Sequence, residues 1–69
     1  MALYSFEVRE SEDGKRIGRV FVAGSSAEVA GNRAAKWAAT EDFHVADCRE
    51  AEQLLASAPD DYLIFKSDK

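Results

Sequence analysis

SSAEVAGNRAAKWAA, residues 25–39, has the spacing of a helix whose buried side is made of small residues. At about 100° per residue, Ala27, Ala30, Gly31, Ala34 and Ala38 fall on one side, with Trp37 at its edge. Glu28, Asn32 and Lys36 fall on the other. Ser25 and Glu28 have the spacing of a capping box, in which the hydroxyl accepts from the Glu28 N–H and the carboxylate accepts from the Ser25 N–H. A face of Ala and Gly lets a helix sit close to a sheet carrying large side chains. Trp37 is expected to be largely buried there, and Gly31 is read as a point of close helix–sheet approach.

The large side chains come from the segments before the helix. In Leu3–Glu10, Tyr4, Phe6 and Val8 alternate with Ser5, Glu7 and Arg9, the pattern of a half-buried strand. Ile17–Ala23 repeats it with Val20 and Val22. A two-residue Asp13-Gly14 turn between them would set Phe6 opposite Phe21 and Val8 opposite Arg19, mixing the faces. A three-residue loop, Glu12-Asp13-Gly14, with Gly14 left-handed, sets Phe6 against Val20, Tyr4 against Val22 and Val8 against Gly18. The outer face then gains a Glu7–Arg19 pair, Glu10 faces Arg16, and Leu3, Ile17, Phe21 and Ala23 lie beside the charges.

After the helix, Phe43–Ala46 alternates over a short strand. Asp47-x-x-Glu50 has the spacing of a second N-cap, and Ala51, Leu54, Leu55 and Ala58 form an i, i+3, i+4, i+7 stripe. This predicts a helix over Cys48–Ala58, with Cys48 packed on its apolar side and Pro59 at its end. Tyr62–Phe65 reads as a final, largely buried strand. The expected fold is α+β in the order β-β-α-(β)-α-β, with both helices on one face of one sheet. Sixty-nine residues allow one domain, residues 1–69, with a polar tail at 66–69.

No apolar run approaches a membrane span or a signal peptide core, and Cys48 has no second cysteine to pair with. Both point to a soluble cytoplasmic protein, a monomer or weak homodimer. His44, Asp47 and Cys48 could assemble a thiol–imidazole site, which makes a small Cys48/His44 enzyme one alternative. Against it, the Asp47 carboxylate opposes thiolate formation and no Gly-rich turn supplies an oxyanion hole. A fourth ligand at metal-binding spacing is missing, and no phosphate loop or dinucleotide fingerprint occurs, so no catalytic residue, metal or cofactor is assigned.

Charge is distributed unevenly. The chain carries −4 overall, but residues 41–61 carry −6 and residues 1–40 carry +1. Glu41, Asp42, Glu50, Glu52, Asp60 and Asp61 are the candidate contact residues of an acidic face that meets a protein with a basic surface. The first alternative, ahead of the thiol enzyme, is a nucleic-acid-binding accessory module. It would use Arg9, Lys15, Arg16, Arg19 and Phe21 on the hairpin, with Arg33 and Lys36 on the first helix. Small size, one core and no catalytic signature are similar to many phage-encoded inhibitors, anti-CRISPR proteins among them. The likeness is one of size and type and rests on no particular residue. It implies a non-enzymatic interaction module that occupies a basic site on a nucleic-acid-binding protein.

Overall fold

The computed structural model describes residues 2–51 and 62–68. Its elements are β1 Ala2–Arg9, β2 Arg16–Gly24, α1 Ala27–Glu41, β3 His44–Ala51 and β4 Leu63–Ser67. The strands form one sheet in the order β3-β1-β2-β4, with every neighbouring pair antiparallel. β2 and β3 both oppose β1, so they run parallel to each other. A parallel pair needs a long crossover, and α1 provides it.

The β1–β2 register is the one that alternation requires: Tyr4↔Val22, Phe6↔Val20, Glu7↔Arg19 and Val8↔Gly18. Beyond Val8 it shifts to Arg9↔Arg16, which leaves Ile17 as a bulge. An extra residue resets the alternation. Ile17 is therefore half-buried at the core edge instead of lying on the outer face. Arg16 faces Arg9, and Glu10 donates its N–H to the Lys15 carbonyl at 3.2 Å. No described glycine has positive φ, so the left-handed Gly14 is not found. Instead Gly14 N–H closes a turn onto the Ser11 carbonyl at 3.0 Å.

Helix α1 starts one residue later than the capping-box spacing implies. Ser26 is the N-cap, its hydroxyl accepting from the Val29 N–H at 3.2 Å, so Ala27 is exposed. The helix stops at Asp42, which is left-handed at φ 62° and donates its N–H to the Ala38 and Ala39 carbonyls. Ala30, Ala34 and Ala38 are buried, and Phe6, Val8, Val20 and Val22 receive the helix on the sheet. The closest approach is at Gly24, where a Cβ would lie 2.9 Å from Ala30 N and 3.1 Å from Ala30 Cβ. Gly31 is not such a point, since a Cβ there would sit 3.9 Å from the Phe6 ring. Trp37 is half-buried, stacked at a tilt on Phe43 and Phe65 with ring centroids 5.8 and 5.4 Å away.

The second helix is not found over Cys48–Ala51, because these residues belong to β3; residues 52–58 lie outside the described residues. Asp47 is not an N-cap. It is left-handed, with φ 53°, and together with Cys48 it stands opposite Phe6, between the pairs Ser5↔Arg49 and Glu7↔Ala46. The strand pairing along β1 satisfies the backbone of this segment, and the D-x-x-E pattern has no helix to cap. Cys48 is exposed. β3 begins at His44, with Phe43 just before it, and runs further than the short strand expected. At the other edge, Lys66 and Ser67 belong to β4 and are not tail. Asp68 N–H bonds the Ile17 carbonyl at 2.9 Å. β4 is also less buried than its sequence implies, with Ile64 exposed.

Candidate protein-interaction surface

The arginines of the hairpin and of β3 are engaged inside the molecule. Arg9 Nε lies 2.6 Å from a Glu7 carboxylate oxygen, so Glu7 is held by Arg9 and not by Arg19 across the ladder. Arg19 reaches over β1 instead. It donates to Ser5 Oγ at 3.1 Å, to the Ser5 carbonyl at 3.1 Å and to the Asp47 carbonyl at 3.0 Å, and it pairs with the Asp47 carboxylate at 3.4 Å. Arg49 Nε approaches the same Asp47 oxygen at 3.0 Å. Arg16 holds Asp68 through two N–H groups at 3.0 and 3.3 Å. Arg33, on α1, donates to the Ala23 carbonyl at 2.8 Å. Phe21 is half-buried, with the Lys66 ammonium 5.7 Å from its ring centroid. Lys15 and Lys36 are exposed.

The carboxylates divide differently. Glu7, Asp47 and Asp68 make the ion pairs of the described residues. Glu10, Glu12, Asp13, Glu28, Glu41, Asp42 and Glu50 are exposed and form none among those residues.

Topology then gathers some of them. β1 ends and β2 begins at the hairpin tip, and His44 at the start of β3 pairs with Arg9 beside it. Because α1 runs from Gly24 back to β3, its C-terminus lies at the tip end of the sheet. Glu10, Glu12, Asp13, Glu41, Asp42 and Asp68 collect there against three cations, Lys15, Arg16 and Arg9, the last paired with Glu7. The C-terminal end of a helix carries a partial negative charge, and no basic residue lies in the last turn of α1 to offset it. Glu50 pairs with Tyr4 and so lies towards the opposite end. Of the acidic-face candidates, Glu41 and Asp42 are together and Glu50 is apart; Glu52, Asp60 and Asp61 lie outside the described residues.

Linear charge counting misses Glu10, Glu12 and Asp13, since residues 1–40 sum to a small positive charge. The signal that finds them is topological. A hairpin followed by a parallel crossover returns the helix C-terminus to the hairpin tip.

His44 and Cys48 are both exposed on β3. His44 faces Arg9 and Cys48 stands opposite Phe6, three β1 residues away, or roughly 10 Å along the sheet. That is beyond hydrogen-bond reach. No group of three metal-ligating side chains occurs among the described residues, and no described helix is long and apolar enough to cross a membrane.

An open cleft of about 420 Å³ lies at the same acidic end, between the hairpin tip and β4. Ile17 and Phe65 supply apolar surface, and Glu10, Lys15, Arg16 and Asp68 are its charged lining. No protein-family model matches this chain, and neither does any curated protein or solved structure.

Proposed function

We propose that the chain is a small, non-enzymatic protein-interaction module whose acidic end occupies a basic site on a nucleic-acid-binding protein, in the manner of a phage-type inhibitor such as an anti-CRISPR protein. One observation carries the reading. The arginines of the hairpin and β3 are paired internally, whereas the carboxylates at the hairpin tip and the end of α1 face solvent without ion pairs among the described residues. Exposed like charges repel one another and do little for folding, but they steer a basic partner. The same pairing weakens the nucleic-acid alternative, because Arg9, Arg16 and Arg19 would have to leave carboxylates to take phosphates.

The test is affinity capture on immobilised protein from a lysate of the cell it comes from, followed by elution with single- and double-stranded oligonucleotides. The expected result is a basic nucleic-acid-binding protein, released by oligonucleotide and not retained by a Glu12→Lys/Asp13→Lys/Glu41→Lys variant. Retention unchanged by these substitutions would overturn the proposal. So would an oligonucleotide mobility shift produced by the purified chain alone.

A further inference from the structure

The cleft at the acidic end gives that surface a specific recognition element. We infer that it receives an arginine side chain of the partner; the inference rests on the proposed function above and narrows it to one site and one residue type.

Three features of the cleft define the occupant. Its apolar lining residues are Ile17 and Phe65, both half-buried, and an aliphatic stem is the part of a charged side chain that such a surface accepts. Glu10 is a lining residue, is exposed and has no ion pair among the described residues. The field over this end is negative, from the hairpin-tip carboxylates and the C-terminus of α1. A long side chain with a cationic head satisfies all three. Arginine fits better than lysine, because a guanidinium is more weakly hydrated and meets a carboxylate in a planar fork. The Arg16–Asp68 pair is half-exposed at the rim and already shows a guanidinium in fork geometry on a carboxylate at this site. Two cations in the lining oppose this: Arg16, whose charge Asp68 offsets, and Lys15, an exposed ammonium with no ion pair among the described residues. Lys15 sets a test of sign, since an anion-binding cleft would need it, whereas an arginine-binding cleft works against it.

The experiment is an NMR titration of the full chain with a short peptide of alternating arginine and glycine at low ionic strength. The matched control peptide has citrulline in place of arginine, which keeps the shape and removes the charge. The arginine peptide is expected to shift the Ile17 methyl and Phe65 ring signals, and the citrulline peptide is not. Glu10→Gln should weaken binding roughly two- to fivefold, the range of one exposed ion pair. Lys15→Gln should leave it equal or tighter. If the arginine peptide moves the amides of Glu12, Asp13, Glu41 and Asp42 but not Ile17 or Phe65, the cleft is not the site and the wider acidic surface still stands. If neither set moves, both readings fail. Equal shifts with citrulline, or weaker binding in Lys15→Gln, overturn the arginine assignment.

Discussion

Gly31 and Asp47 show how differently single residues can sit in this fold. Gly31 is inside α1 with ordinary van der Waals room for a methyl group beside the Phe6 ring, at 3.9 Å. Glycine in a helix interior costs roughly 0.5–1 kcal/mol relative to alanine. Gly31→Ala should therefore raise stability by about that much, seen as a higher urea midpoint at unchanged slope. A loss of stability would show that the helix sits closer to Phe6 than described. Asp47 is the reverse case, a non-glycine residue at φ 53° whose carboxylate takes both Arg19 and Arg49. Aspartate and asparagine tolerate the left-handed region better than alanine does. Asp47→Ala should cost about 1–3 kcal/mol, from backbone strain together with the lost partner of a largely buried Arg19 side chain. Asp47→Asn keeps the backbone preference and should cost distinctly less. Equal losses in urea titrations of the two variants would assign the effect to charge alone.

At the scale of elements, the hairpin and α1 follow directly from periodicity. Phe6, Val8, Val20 and Val22 repeat every second residue, and Ala30, Ala34 and Ala38 every fourth, so each buried face is written in the local spacing. Boundaries are less legible, because Ser25 and Ser26 are adjacent and either could cap. Ser26 does so, which gives a paired test: Ser26→Ala should cost about 1 kcal/mol and Ser25→Ala close to nothing in thermal or urea unfolding. Comparable losses would mean that the helix start is shared between them. β3 was legible only as far as Ala46, and Asp47 is the reason. The left-handed residue puts one extra position into the strand, so Val45 faces Val8 while Arg49, four residues on, faces Ser5 on the opposite side of the sheet. Read without that bulge, the segment after Ala46 loses its period of two. Its Asp47-x-x-Glu50 spacing then looks like a helix start. The short β4 was partly visible as an apolar run, but Lys66 and Ser67 lengthen it only because β2 supplies partners for them.

At the scale of the whole molecule, the acidic end is an arrangement that the order of residues hides, and it predicts a conflict between folding and binding. Glu41 occupies the last turn of α1, where the partial negative charge of the helix end disfavours a carboxylate and no basic residue compensates. Glu41→Lys should stabilise the helix by about 0.3–1 kcal/mol, since cations are favoured at that terminus. The same substitution removes charge from the surface proposed to meet the partner. Its association should slow several-fold at low salt, and about tenfold when Glu12→Lys is added, with the difference shrinking as salt rises. Glu50→Lys is the control. From its partner Tyr4 to Arg9 at the tip end is five steps of strand, or roughly 17 Å. The screening length at physiological ionic strength is only about 8 Å. Glu50 is thus two screening lengths from the acidic end, and reversing it should leave association nearly unchanged. A variant that is more stable yet binds more slowly cannot owe its defect to unfolding, so Glu41→Lys separates the two effects in one protein. Stopped-flow association across a salt series, together with urea unfolding of each variant, gives both quantities. If Glu50→Lys slows association and Glu41→Lys does not, the contact lies towards the β3 end of the acidic segment and the hairpin-tip surface is not the one used.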